Sequence, residues 1–389
     1  MLGNDIEIKQ LVGVGDVHLS FLPEQRVYCL IGENGIGKTK CLEALFTTLF
    51  LYNEFFIESN IGFEFKNKLF RCVSSEKYNL DLSGIDKDTF VCESNFRALI
   101  NFDASIRFHT IPTVFLGAQG RSNMNTEQKG IGEIGSYKDR RENYYKYLSN
   151  ILVSESKFQS VNMDTNIHEW MIQRAQSANP YQAKEDNREI EISSLLKLLS
   201  KIDNKVDNEF LEISGNNRVF IKIADNKTEL SELSSGFASI LKIMQSIIAG
   251  YSYFTNETNI ARVKGVVFID EIESHLHTKW QATIIPTLKR LFPNTTFYIT
   301  THSAIVLSQL QHGEAYELYR DKADGIVKTE LIEHPNNAAF VDLLKDAFDI
   351  DINRLKLDRD NAPQQKNAKR LLSELLEKRI NELKEGTQQ

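Results

Sequence analysis

Residues Gly32 to Thr39 read Gly-Glu-Asn-Gly-Ile-Gly-Lys-Thr, a complete G-x-x-x-x-G-K-[ST] loop placed after the apolar run Arg26–Ile31 and before a helix-like stretch, Cys41–Phe50. Strand, glycine-rich loop and helix in that order constrain the chain more than any other feature. Glycines let the backbone wrap close to phosphate oxygens and point its N–H groups at them, the helix adds its positive N-terminal end, and the lysine adds a mobile charge. Nucleotide binding is therefore expected, with Gly32, Asn34, Gly35, Ile36, Gly37, Lys38, Thr39 and Lys40 as candidate contacts.

The surrounding pattern is that of an α/β fold. Strands are expected at Ile6–Leu11 and Val17–Phe21, then at Ile61–Phe65 and Thr113–Gly117. From Ser122 to Lys201 the chain turns polar and helix-prone, with Tyr137, Tyr144, Leu148, Ile151 and Leu152 at helical spacing. The strand pattern returns at Arg218, and buried-type strands follow at Val263–Ile269 and Thr295–Ile299, separated by a helical segment. Strands alternating with helices imply a largely parallel sheet. One head is expected over residues 1–389, with a phosphate-loop half to about 121, a helical insert over about 122–217, a second half over about 218–335 and a helical tail over about 336–389.

Composition limits the alternatives. The 389 residues are 41% hydrophobic and 25% charged, enough apolar content for a substantial core. No apolar run reaches the roughly 18 to 20 residues that cross a bilayer, and the N-terminus lacks a basic flank with an apolar centre, so a cytoplasmic protein without a membrane partner is expected. Cys29, Cys41, Cys72 and Cys92 lie far apart, which suggests reduced core residues and no zinc. A net charge of −7 argues against a globally basic surface but leaves nucleic acid open as a partner through a local groove. The interleaved aromatic and basic residues of Tyr137–Tyr147 read as an amphipathic helix packed on the core. An apolar stripe of Ala368, Leu371, Leu372, Leu375, Leu376, Ile380 and Leu383 needs cover, from its own head or from a second protein.

Val266–Ile269 would bury a strand and deliver Asp270 and Glu271 at its carboxyl end, where ligands of open α/β sheets gather. Mg²⁺ takes near-octahedral oxygen ligands, so Thr39 and Asp270 make a sensible pair of protein donors beside phosphate oxygens and waters. Glu271 is then free to orient or deprotonate a water. Two more motifs flank this pair: Leu233-Ser-Ser-Gly-Phe237 precedes the apolar helix Ala238–Ile248, and Thr300-Thr-His-Ser303 follows the strand at Thr295–Ile299. His275 and His277 are spaced i,i+2, off one helical face, which argues against a zinc pair.

Taken together, these four motifs in this order over roughly residues 6 to 310 resemble the ATP-binding-cassette ATPases. More narrowly, Gly32–Thr39, Ile269–His277 and Ile299–Ser303 look like the branch shared by chromosome-maintenance (SMC), RecF-like and bacterial defence ATPases of the AAA_21 and OLD-like kind. The resemblance implies a P-loop head with a mainly parallel core sheet, an antiparallel N-terminal β subdomain and an inserted helical lobe. It also implies ATP and Mg²⁺ as cofactors. Lys38 would grip phosphate, Thr39 and Asp270 the metal, Glu271 the water, and His302 the γ-phosphate. Gln119 would sense metal and water, whereas Ser234, Ser235 and Gly236 would reach the nucleotide of a second copy, giving a dimer or higher oligomer with composite sites. Phe237 departs from the family's usual Gln or Glu at that position.

The implied activity is ATP hydrolysis that drives head engagement. The acidic residues after His302 read as solvated helix and turn, not as a nuclease module, so a separate effector such as a nuclease is expected. That matches sensor or regulatory ATPases of anti-phage systems such as Septu, PARIS and retron-linked modules. A RecF-like repair ATPase that clamps DNA and a slowly hydrolysing nucleotide-dependent scaffold are the alternatives.

Overall fold

Of the apolar runs expected as strands, those at Ile6–Leu11, Val17–Phe21, Arg26–Ile31, Thr113–Gly117, Val263–Ile269 and Thr295–Ile299 meet in one ten-stranded sheet, whereas the described part of Ile61–Phe65 pairs in a separate two-stranded sheet. The computed structural model describes residues 2–58, 63–65, 69–82, 89–91, 108–124, 131–152, 155–181, 183 and 185–338, with scattered positions between 342 and 375. The first elements are β1 (Asp5–Leu11), β2 (Gly15–Ser20), β3 (Val27–Gly32), α1 (Lys38–Leu51) and α2 (Glu54–Glu58). Short strands β4 (Phe63–Phe65), β5 (Cys72–Ser75), β6 (Asn79–Asp81) and β7 (Thr89–Val91) precede β8 (Thr113–Leu116). A helical lobe follows, α3 (Tyr137–Leu152), α4 (Ile167–Gln176) and α5 (Glu189–Ile202), then β9 (Val206–Ile213), β10 (Val219–Ile223) and β11 (Asn226–Glu229). The remainder is α6 (Ser235–Ser252), β12 (Gly265–Ile269), α7 (Thr278–Gln281), α8 (Ile284–Leu291), β13 (Thr295–Thr300), α9 (Ala304–Leu307), β14 (Ala315–Arg320) and β15 (Val327–Leu331).

The sheet order is β6-β5-β1-β2-β15-β14-β3-β13-β12-β8, and the run from β14 to β8 is parallel throughout. The expected antiparallel N-terminal strands form the other end of this same sheet, joined to it where β2 pairs in parallel with β15. The register explains the core. Phe115, Phe268, Tyr298 and Tyr28 are successive partners on β8, β12, β13 and β3, so their rings share one face. Phe268 and Tyr298 stack at 5.1 Å, Tyr298 and Tyr28 at 4.9 Å, and Phe46 of α1 meets Phe115 edge-on at 5.4 Å. On the opposite face α6 lies so close that a Cβ at Gly250 would come within 2.4 Å of Val114.

The Tyr137–Tyr147 stretch is indeed helical, with Tyr144, Tyr145, Leu148 and Ile151 buried. The insert read as helical over about 122–217 ends differently, because β9 begins at Val206 and pairs antiparallel with β10 in a separate three-stranded sheet with β11. Residues Met1–Ala338 and Ala339–Gln389 form two compact units. Cys92, residues 61 and 62 of the expected strand, and Ala368, Leu376, Ile380 and Leu383 of the apolar stripe lie outside the described residues. Leu371, Leu372 and Leu375 are exposed. Among the described residues no helix is long and apolar enough to cross a membrane, and no cluster of three His, Cys, Asp or Glu side chains is placed to hold a metal.

A candidate phosphate and metal site at the carboxyl ends of β3, β13 and β12

Three neighbouring parallel strands end at one edge and bring together Gly32–Thr39, Asp270 with Glu271, and Thr300–His302. The loop after β3 needs its glycines. Gly37 sits at φ +108°, where a side chain is strained, and a Cβ there would meet Val14 at 2.6 Å. Gly37 is also the N-cap of α1 and offers no side chain to it, so the first N–H groups of that helix are left for an external acceptor. Asn34 and Gly35 are exposed, and Ile36 is buried. Lys38 is buried and curls back, its Nζ donating to the carbonyls of Gly32 at 2.8 Å and Glu33 at 2.9 Å. Burial lowers its pKa, opposed by the nearby charges of Asp270, Glu271 and Glu273. Lys40 is engaged with Glu43 at 2.8 Å.

Asp270 receives two hydroxyls on one oxygen, Thr39 Oγ1 at 2.8 Å and Thr300 Oγ1 at 2.7 Å. Burial raises its carboxyl pKa, and those two hydrogen bonds pull the other way. Thr300 Oγ1 also accepts the main-chain N–H of Glu271 at 2.7 Å, so one hydroxyl ties both acids to the end of β13. Glu271 has φ +47°, a left-handed conformation rare for a residue with a side chain. Its Oε2 accepts from Ser274 Oγ at 2.9 Å.

The remaining expected residues make contacts of their own. His302 is exposed, and its main-chain N–H donates to Glu273 Oε1 at 2.6 Å. Gln119 is exposed, with Nε2 on Gln159 Oε1 at 2.8 Å and no hydrogen bond to Thr39 or Asp270 among the described contacts. Ser234 is the N-cap of α6, accepting from Phe237 N at 3.3 Å, and both Ser234 and Ser235 are exposed. Gly236 is buried, and a Cβ on it would lie 3.5 Å from His277 N. Ser234, Ser235, His275, His277 and His302 thus present exposed polar groups.

Three side chains that motif reading passed over are built into the same place. Glu273 accepts Thr301 Oγ1 on Oε2 as well as His302 N on Oε1. The third acid of Asp-Glu-Ile-Glu was the available signal. Arg121 is fully buried, with Nε on Gly117 O at 3.0 Å, Nη1 on Glu271 O at 2.7 Å, and Nη2 on Asp270 O. Lys242 of α6, also buried, donates from Nζ to Gly120 O at 3.0 Å and Met163 O at 2.6 Å. Neither cation carries a local sequence signal, since the groups that tie each to the site are backbone carbonyls far away in the chain.

Residues 27–308 match the family described as "AAA domain, putative AbiEii toxin, Type IV TA system". The Septu protein PtuA of Bacillus mycoides (strain KBAB4) is 24% identical over 301 residues, 75% of this chain and 36% of that protein. The "Retron Vc95 probable ATPase" of Vibrio cholerae serotype O1 biovar El Tor is 24% identical over 346 residues, 73% of this chain and 67% of that protein. This chain therefore spans about a third of the Septu relative's length and about two thirds of the retron one's. Among solved structures, an SMC head bound to the C-winged helix domain of ScpA is 11% identical with a TM-score of 0.44, covering 86% of this chain and 99% of that one. Since the family match takes in well over half of the chain, including the loop, the Asp-Glu strand and His302, the protein belongs to this AAA domain family.

Proposed function

We propose that this protein binds ATP with Mg²⁺ at the edge formed by β3, β13 and β12 and hydrolyses it, that two copies engage over the nucleotide, and that this serves as the sensor or regulatory ATPase of a bacterial anti-phage complex with a separate effector. The observation that carries the reading is the meeting of Thr39 Oγ1 and Asp270 Oδ1 at 2.8 Å beside Lys38 and Glu271. A hydroxyl and a carboxylate oxygen facing each other suit a small hard cation. The approach for a phosphate is open at Gly35, where even an added Cβ would meet nothing within 4 Å.

Thr39 and Asp270 are the residues that would hold the metal, which when bound neutralises charge on the phosphate oxygens. Lys38 would exchange the carbonyls of Gly32 and Glu33 for phosphate. Glu271, freed from Ser274, would orient a water and take its proton. His302 would donate toward the γ-phosphate from a loop fixed by Glu273. Gln119 would have to leave Gln159 to sense the metal. Ser234, Ser235 and Gly236 would meet the nucleotide of a second copy, and the exposure of both serines supports that role. The defence setting rests on the Septu and retron relatives named above.

Phosphate release and particle mass test the reading together. Lys38→Ala and Glu271→Gln should each lower phosphate release with Mg²⁺-ATP by about 100-fold or more, and Glu271→Gln should gain mass or compaction with ATP in light or small-angle scattering. Equal release in wild type and both variants overturns hydrolysis. Release that depends on Glu271 without any ATP-dependent association overturns engagement. Degradation of DNA by the purified chain that persists in Lys38→Ala overturns the separate effector.

A further inference from the structure

We infer that Arg121 is a positioning residue for Glu271, and that with Lys242 it links the N-terminal end of α6 to the acid at the carboxyl end of β12. The inference rests on the ATPase reading above and names how that site is regulated from within the chain.

A buried guanidinium is costly to desolvate and is ordinarily matched by a carboxylate. Arg121 is fully buried, yet its described hydrogen bonds all go to main-chain carbonyls, those of Gly117, Asp270 and Glu271. Asp270, Glu271 and Glu273 oppose the cost through space, and with burial lowering its pKa only to about 10 the group stays cationic at neutral pH. Five N–H donors in a planar fork fix the direction of the acceptors more tightly than a lysine could. The acceptors are the peptide carbonyls of the two acids. Glu271 needs such a hold because a left-handed backbone is disfavoured for a residue with a side chain. Thr300 fixes its N–H and Arg121 its carbonyl, so the side chain is aimed from a peptide pinned on both sides.

The other end of the link is α6. Lys242 Nζ holds Gly120 O, one residue before Arg121, and Met163 O in the helical lobe. Gly117 lies against the lobe as well, its N–H on Val161 O at 3.1 Å and a Cβ on it only 2.2 Å from Gln159 O. Residues 117–121 are thus held between the acid strand and the helix whose first turn carries Ser234–Gly236. A shift of that helix when a second copy engages would pass through Lys242, Gly120 and Arg121 to the Glu271 carbonyl.

The test uses the full chain and reads phosphate release, affinity for a fluorescent ATP analogue, and folding by circular dichroism. Arg121→Met is expected to lower kcat about tenfold or more while nucleotide affinity stays within about threefold, and Arg121→Lys to recover part of the loss. Combined with Glu271→Gln it should add no further loss, since a residue that acts through Glu271 cannot act once that carboxylate is gone. Wild-type kcat in Arg121→Met, or losses that multiply in the double variant, overturns the assignment. Should neither Arg121 variant fold, Lys242→Met cuts the other end of the link, and unchanged kcat in it overturns the proposal. If Glu271→Gln leaves wild-type release unchanged, the hydrolysis reading falls and the Arg121 assignment with it. If Glu271→Gln abolishes release and Arg121→Met leaves it at the wild-type rate, only the Arg121 assignment falls.

Discussion

Glu273 Oε1 accepts the main-chain N–H of His302 at 2.6 Å, which anchors the loop after β13 to the segment that follows the Asp-Glu pair. With Oε2 on Thr301 Oγ1, one carboxylate fixes two consecutive residues of that loop. The imidazole of His302 is exposed, so its aim depends on backbone held by a neighbour and not on packing of its own ring.

Glu273→Ala should therefore act on turnover more than on binding. Removing the acceptor leaves the hydroxyl of the buried Thr301 without its partner, costing about 1–3 kcal/mol of stability, and kcat should fall about 10- to 100-fold. Urea unfolding and phosphate release measure the two effects, and an unchanged kcat would show that His302 has no part in the chemistry.

Asp270→Asn should make the ligand-free protein more stable. The Asp270 carboxyl pKa is raised by burial, so the folded state holds that proton to higher pH than the unfolded chain does, and stability falls as pH rises through that interval. An amide keeps an oxygen for Thr39 and Thr300 without the buried charge. A gain of about 0.5–2 kcal/mol at neutral pH is expected, together with loss of the Mg²⁺-dependent part of stabilisation by ATP. Thermal unfolding with and without Mg²⁺-ATP checks both.

His109 predicts an acid-side loss. Its Nδ1 accepts from Ile111 N at 3.2 Å and its Nε2 lies 3.0 Å from Leu49 O, an arrangement that suits the neutral ring, and burial lowers its pKa to about 4. The unfolded chain takes up that proton first, so stability is full above about pH 6.5 and declines as pH falls toward 4. Between pH 7 and 5 the decline should be about 1–2 kcal/mol. Urea unfolding of His109→Gln at both pH values should lack that increment.

Ser234→Asp separates binding from engagement. The new carboxylate sits at an exposed helix N-terminus, where it still caps α6 but repels a triphosphate brought by another copy. Nucleotide affinity of the isolated chain should stay within about threefold, while the ATP-dependent gain in mass of a Glu271→Gln background should be lost. Scattering with Mg²⁺-ATP reports the outcome.

The sequence alone determined the local parts. The glycine loop, the Asp-Glu pair after an apolar run and the serine that opens α6 are legible because neighbouring residues set backbone freedom, strand burial and helix caps over a few positions. The tertiary structure decided what those parts touch. Thr39 and Asp270 are 231 residues apart in the chain and meet because β13 lies between β3 and β12 in the sheet. Strand pairing also joined the N-terminal strands to the core through β15, and in a separate sheet turned Val206–Ile213, where only Val206 is buried and the strand signal is weak, into β9 once β10 supplied its hydrogen bonds. Arg121 and Lys242 were invisible as site residues for one reason. Their partners are largely backbone groups, which every residue possesses, and only folding chooses which of those groups a buried charge will find.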